Sequence, residues 1–312
     1  MSDRPYDVIG LGVNTLDLTA LIDGYPGPDT KQPILDFEAQ GGGMTATALV
    51  ACARLGLRTR YVGKVGGDRW ARLALLTLRR EGVDVRHVLR ARQSAGHVSL
   101  VLVDRLSGAR TLFFRRPAAY AVRPEELDPA VITAGRLLHV DGVDVAAAVQ
   151  AIGWARQAGM RVTMDGERVV EGIERVWPLV DVLVCNPHFL QRVTGQAGVE
   201  AGLEVLTSRG PARVAATLGA DGAVGLEGGR WCRAPGFRVD VVDTNGAGDV
   251  FHGACAFGEL RGWPFEWSLT FASVVAALKC RSLGGRRGIP RLPEVAEFLD
   301  AHGYPEMART LR

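Results

Sequence analysis

The residues most able to do chemistry in this sequence are Asp243-Thr244-Asn245-Gly246-Ala247-Gly248-Asp249-Val250-Phe251-His252-Gly253-Ala254. They follow an alternating run, Phe237 to Val242, that reads as a strand, and precede a segment without helix breakers up to Gly262. The spacing predicts a strand-to-helix turn. Two glycines around Ala247 allow a tight fold, so the amides of Gly246, Ala247 and Gly248 are expected to face one spot in front of the helix. Unpaired N–H groups and the positive end of the helix dipole make such a spot an anion site. Asp249, in the first turn, is placed to take a proton from an attacking hydroxyl while the amides stabilise a transferred phosphoryl group. A shorter pattern would be explained by a helix cap and a glycine turn alone. His252 shares the helix, but a lone helical histidine is more often packed or solvated, so it receives no role.

The elements that must hold this turn are legible upstream. Val8 to Val13 reads as a buried strand with Asn14 and Asp17 at or beyond its end, where open parallel sheets bind ligands. Leu16 to Ile22 and Pro33 to Ala39 read as antiparallel strands outside the main sheet, and Gly41-Gly42-Gly43 precedes a small-residue helix from Met44 to Leu55. Arg60 to Gly66 is expected as a strand, with Asp68 capping a helix from Arg69 to Glu81. His97 to Asp104 and Arg110 to Arg115, around Ser107-Gly108, form a hairpin signal. Four such strands cannot stand as an isolated layer, so they must cover something.

From Leu137 the rhythm is strand and helix in alternation. Strands are expected at Leu137–Val140, Arg161–Met164, Asp181–Cys185, Arg213–Thr217 and Ala223–Glu227. Helices are expected at Val145–Ala158, from Asn186 to Thr194, and between Glu200 and Ser208. Asp141 and Asp165 end the first two strands. This predicts an α/β fold, a three-layer α/β/α sandwich with a mostly parallel central sheet and a small β-sheet inserted at about 15–40 and 95–118, all within one domain of residues 1–312. Trp267 to Cys280 is an apolar helix before the glycine-rich Leu283-Gly284-Gly285-Arg286-Arg287-Gly288-Ile289-Pro290.

Composition narrows the class. Of 312 residues, 23% are charged and 47% hydrophobic, an ordinary water-soluble profile, and the net charge of +3 is too small to argue for nucleic acid. The basic pairs Arg79-Arg80, Arg115-Arg116 and Arg286-Arg287 are scattered, though each could meet an acidic ligand. Five dispersed cysteines show no C-x-x-C spacing and suggest neither zinc nor disulfides. Met1 to Asp7 is wrong for a signal peptide and no apolar stretch approaches a membrane span, so a cytoplasmic protein is expected.

The run Asp-Thr-x-Gly-Ala-Gly-Asp resembles the second signature of the ribokinase-like (PfkB) carbohydrate kinases, and Gly41 to Thr47 resembles the first. The resemblance covers nearly the whole chain. It implies ATP-dependent transfer of the γ-phosphoryl group to a primary hydroxyl of a ketose- or pentose-type sugar, with Mg²⁺ bridging the phosphates. Asp249 would be the base; Asn14, Asp17, Gly42, Gly43, Thr47 and Asp141 would line the sugar site. The family usually carries asparagine where this chain has Gly43 or Met44, and Thr47. Asn186, Thr217, Gly219, Gly222, Ala276 and Gly285 would lie along ATP, and the glutamate tied to the magnesium-water shell is here Phe189. Asp243, with the glycine-rich loop, can hold K⁺ in the family. The small sheet would be a lid and the contact of a homodimer. Within the family the motifs are most similar to the kinases of sulfofructose, with ketohexokinase more distant. Lys31 falls where such kinases hold the sulfonate, so Lys31 and Arg115 are expected to face an anionic sugar from the lid, although the matching arginine position is Gly142 or Val143. A nucleoside kinase of the same fold and a sugar sensor without turnover are the alternatives. The first needs an aromatic or apolar base pocket under the lid; the second fits poorly with an intact Asp249.

Overall fold

The computed structural model describes residues 4–312; Met1 to Asp3, the start of the acidic N-terminal segment, lie outside the described residues. Its centre is an eight-stranded sheet built from β1 (Tyr6–Leu11), β4 (Thr59–Val62), β9 (Gly135–Val140), β10 (Arg161–Gly166), β11 (Val182–Cys185), β12 (Arg213–Thr217), β13 (Ala223–Glu227) and β14 (Arg230–Ala234). The order is β14-β13-β12-β11-β10-β9-β1-β4. Pairing is parallel from β4 to β12 and antiparallel only at β13 and β14.

The parallel strands carry buried apolar runs, Val8-Ile9, Leu137-Leu138, Val182-Leu183-Val184 and Val214-Ala215-Ala216, because both faces are covered. Side chains alternate between two cores: Val8, Leu137, Val182 and Val184 face one, and Ile9, Leu138, Leu183 and Cys185 the other. The first core is closed by α1 (Met44–Arg54), α2 (Arg69–Arg80), α7 (Ala247–Arg261), α8 (Phe265–Lys279) and the C-terminal α9 (Leu292–Ala301) and α10 (Pro305–Arg309); the second by α3 (Pro129–Ile132), α4 (Val145–Gln157), α5 (Pro187–Thr194) and α6 (Val199–Thr207). All five cysteines are buried free thiols. Among the described residues no helix is long and apolar enough to cross a membrane.

The small sheet is present: β2 (Thr15–Ile22), β3 (Asp36–Gly42), β7 (Val98–Asp104) and β8 (Arg110–Arg115), in the order β3-β2-β7-β8. Register fixes its two faces. Asp17, Ser99 and Phe114 share one face with Val101, Leu112, Val103 and Arg110; Leu16, Val98 and Arg115 share the other with Leu100 and Phe113. Val101, Val103 and Leu21 pack on Leu283, which seats the sheet on the glycine-rich loop.

Two expectations are corrected. Arg60 to Gly66 is not one strand: it breaks at Gly63, where a Cβ would strike the Tyr61 hydroxyl, and β5 (Lys64–Gly66) pairs instead with β6 (Leu89–Ala91). Phe237 to Val242 is not a strand either. Sheet pairing ends at Ala234, and the N–H groups of Val242 and Asp243 donate to the Cys280 carbonyl (2.9 and 3.2 Å), so the end of α8 takes the place of a neighbouring strand.

Candidate active site

The carboxyl ends of β1, β9, β10, β11 and β12 lie side by side, which carries Asn14, Asp141, Asp165, Asn186 and Thr217 to one edge of the sheet. Helix α7 starts against that edge. Gly246 caps it with φ +76°, and a Cβ there would lie 2.7 Å from the Gly285 carbonyl oxygen. The two glycine-rich loops therefore touch backbone to backbone. Gly246→Ala is expected to cost about 1–2 kcal/mol for the left-handed conformation alone, and more for the clash; denaturant unfolding measures the first, and turnover reports the displaced loop. Unchanged stability and turnover would show that the contact is dispensable.

The amides at the head of α7 divide. Ala247 N–H, expected in the anion hole, donates to the Thr244 carbonyl at 3.2 Å, because the chain closes a turn before the helix begins. The N–H groups of Gly246, Gly248 and Asp249 have no protein partner among the described residues and remain open to an anion.

Asp249 belongs to a trio that no sequence pattern revealed. Carboxylate oxygens of Asp165, Glu167 and Asp249 all lie within 4.8 Å of one another. Burial raises the Asp249 pKa well above the usual carboxylate range, the negative charges of Glu167, Asp165 and Asp17 push it further, and Arg286 opposes them. His252 is neither solvated nor merely packed: its Nε2 is 3.0 Å from Asp165 Oδ1, beside the buried His139, whose Nδ1 is 3.0 Å from Thr163 Oγ1. Period-2 alternation places His139, Thr163 and Asp165 on the α7 side of the sheet.

Asp17 and Gly42 also meet, for a Cβ on Gly42 would strike the Asp17 carboxylate. Thr15 Oγ1 donates to Asp17 Oδ1. Burial raises the Asp17 pKa, against the Thr15 hydrogen bond and the charge of Arg286. Gly43, at φ +93°, caps α1. Thr47 Oγ1 accepts from Arg286 Nε at 3.1 Å. Asp141 accepts from Val13 N (2.6 Å), Thr45 Oγ1 (2.9 Å) and Val143 N (3.1 Å), and so ties β1, α1 and β9 together. Burial pushes its carboxyl up to about 6 against those hydrogen bonds.

Arg286 is the residue that pattern reading passed over as one of several basic pairs. It is only 4% exposed and donates to Gly42 O (2.6 Å), Thr47 Oγ1 (3.1 Å), Thr77 Oγ1 (3.2 Å) and Asn14 Oδ1 (3.5 Å). None of these partners is a carboxylate. Around it, the Nδ2 groups of Asn14 and Asn245 are buried without a protein partner, leaving two donors for a ligand oxygen.

Lys31 and Arg115 are not brought together. Arg115 pairs with Val98 and Leu16 on the face opposite Asp17, and reaches only the Gly96 carbonyl (3.4 Å). Lys31 is exposed in the loop beyond Ile22, where Gln32 bonds to Gly24, at the other end of β2. The arginine that does reach the signature from the small sheet is Arg110, whose Nη1 donates to Thr244 Oγ1 at 2.9 Å.

Of the residues expected along a nucleotide, Asn186 caps α5 by accepting from Phe189 N at 2.7 Å, and Thr217 ends β12 beside the Gly219–Asp221 turn. Gly222 closes that turn at φ +88°, Ala276 lies half-buried on α8, and Gly285 lies against Gly246. Phe189 is fully buried in the second core and cannot stand at a metal shell.

Fold and site together define a phosphotransferase with an alcohol group as acceptor. Residues 7–292 match the PfkB family of carbohydrate kinases, and the chain belongs to that family. It is 26% identical to a 5-dehydro-2-deoxygluconokinase of Shouchella clausii, with 95% of this chain and 96% of that protein covered. It is 25% identical to a nucleoside kinase of Methanothermobacter thermautotrophicus, covering 96% and 97%. The crystal structure of a ribokinase from Thermotoga maritima shares the fold with a TM-score of 0.81 at 23% identity, covering 95% of this chain and 99% of that one.

Proposed function

We propose that this chain is a cytoplasmic, ATP-dependent sugar kinase that phosphorylates a primary hydroxyl. The observation that carries the reading is Asp249 in the first turn of α7, next to open backbone amides and in the electrostatic reach of Asp17 and Arg286. Asp17, with Asn14 and Asn245, would hold the sugar hydroxyls. The acceptor O–H gives its proton to the Asp249 carboxylate as its oxygen bonds to the γ-phosphorus; the bond to the bridging oxygen breaks, and the electron pair leaves with ADP. The open amides of Gly246 and Gly248 would stabilise the phosphoryl oxygens. Asn186, Thr217, Gly219, Gly222, Ala276 and Gly285 would lie along ATP.

The hard oxygens of Asp165 and Glu167 suit Mg²⁺, which when bound would neutralise phosphate charge and leave the nearby Asp249 carboxylate to take the proton. Glu167 follows β10 as Asn186 follows the adjacent β11, so it would supply the carboxylate that Phe189 does not. With Lys31 and Arg115 apart, the acceptor is proposed as a neutral sugar rather than an anionic one such as sulfofructose.

A second reading, nucleoside phosphorylation, is favoured by one feature. Phe114 is 52% exposed on the Asp17 face of the small sheet, next to Leu112 and under the Arg168 guanidinium (4.8 Å to the ring centroid), and could wall a base. ADP release measured over neutral sugars, phosphosugars, sulfosugars and nucleosides separates the readings. Turnover of nucleosides alone would overturn the sugar assignment, and no turnover of any would overturn the kinase reading.

We also propose that the small sheet is a lid and that its outer face joins two copies. Phe37, Leu100 and Phe113 are 53%, 42% and 58% exposed, and Leu100 pairs directly with Phe113 on that face. Phe113→Glu is expected to convert a dimer to monomers in sedimentation equilibrium. A parent chain that is monomeric at micromolar concentration defeats the proposal.

A further inference from the structure

The potassium site expected at Asp243 does not fit the groups found there. Asp243 and Lys279 are both fully buried. The Lys279 ammonium donates to the Asp243 carbonyl oxygen at 2.9 Å. The Asp243 carboxylate accepts from Asn245 N and from Gly284 N, each at 2.7 Å, so it bridges the start of the α7 turn to the glycine-rich loop. The Cys280 carbonyl, adjacent to Lys279 in sequence, accepts from Val242 N and Asp243 N.

We propose that the Lys279 side chain is a built-in monovalent cation for this loop pair, and that the chain consequently needs no potassium ion there. A carboxylate without solvent contact is stable only beside a positive charge and hydrogen-bond donors. The amides supply the donors, and Lys279 supplies the charge from the last turn of α8, where the helix dipole also favours a cation. The Asp243 carbonyl, one of the oxygens a potassium ion could use, is already taken by Nζ, and a second cation in the same buried space would meet like-charge repulsion. Through Asp243, Lys279 fixes the distance between Gly284-Gly285 and Asn245-Gly246, on which the open amides of the α7 head depend. It is thus a positioning residue with no contact to the reacting atoms.

The inference rests on the kinase reading for its consequence in catalysis, but not for its thermal test. Melting temperature and ADP release are compared in KCl, NH₄Cl, NaCl and N-methylglucamine chloride at equal ionic strength, for the parent, Lys279→Ala and Lys279→Met. The parent is expected to melt at one temperature in all four salts and to vary less than twofold in rate. Lys279→Ala, purified in KCl, opens a space of ammonium size: it is expected to melt several degrees lower in N-methylglucamine, to regain that loss in K⁺ or NH₄⁺, and to regain at least tenfold in rate. Lys279→Met fills the space without charge and is expected to stay impaired in every salt, which a packing role would not produce. A parent stabilised or activated several-fold by K⁺ overturns the proposal, as does Lys279→Met matching the parent or Lys279→Ala failing to respond to any cation. If no substrate turns over, the melting comparison still decides.

Discussion

Asp249→Asn is expected to lower turnover by about 10²- to 10⁴-fold with nucleotide affinity retained, because the amide keeps the size of the carboxylate and loses only its ability to accept a proton. The same substitution should raise the melting temperature of the ligand-free protein. Three carboxylates within 4.8 Å of one another repel, and neutralising one relieves that repulsion. The sign follows from the raised pKa: in the fold the Asp249 carboxylate is disfavoured, so the parent loses stability as pH climbs from the ordinary carboxylate range through the raised value, and the variant does not. The kcat/KM of the parent rises with pH through that same ionisation, since only the carboxylate is a base. Measurements of kcat, KM for ATP and Tm between pH 5 and 9 check all three. A variant that turns over normally, or one that melts below the parent at pH 8, would remove Asp249 from the role of catalytic base.

Arg286→Met is expected to cost about 3 kcal/mol or more of stability. It strips the partner from the Gly42 carbonyl, Thr47, Thr77 and Asn14 in a buried site, and hydrogen bonds to a charged group contribute about 1.5–3 kcal/mol each when made. The loss of function should exceed the loss of fold. Arg286 is the cation that holds down the pKa values of Asp17 and Asp249, so its removal moves the acidic limb of kcat/KM to higher pH. It also frees the backbone of Gly42 next to Asp17, and KM for the acceptor should rise at least tenfold. Arg286→Lys keeps the charge without the planar fork; it should restore the pH limb but little of the stability. An unmoved pH profile in Arg286→Met would reduce the residue to a structural tie.

Much of the fold was legible in the chain because its signals are local. Alternation and breaker residues gave the parallel sheet to within a residue or two at most ends, the α2 cap at Asp68 and the β7–β8 hairpin. The signature around Asp249 placed the candidate base because its spacing is covalent. Where an element depended on a distant neighbour, the reading failed. Phe237 to Val242 alternates like a strand yet has no strand to pair with, and Ala247 has the composition of an anion-hole residue yet spends its N–H on Thr244.

The lid arginines show the same dependence at single-residue scale. Arg115 and Arg110 both lie on β8, five residues apart, and the two-residue period sends them to opposite faces. Sequence alone could see that such a period existed, but not which face would turn toward Asp17; pairing with β7 and β2 decided that. The chain by itself determined the fold class, the glycine turn and the carboxylate at its end, since each is written in contiguous residues. Tertiary structure alone decided what surrounds that carboxylate: the trio with Asp165 and Glu167, the Lys279 ammonium under Asp243, and Arg286 bonded to Asn14 across 272 residues of sequence. Those charges have no local pattern, because an ionised group in the interior is held by whichever distant partner offsets its lost hydration, and that partner is chosen by the packing of the whole sheet and its helices.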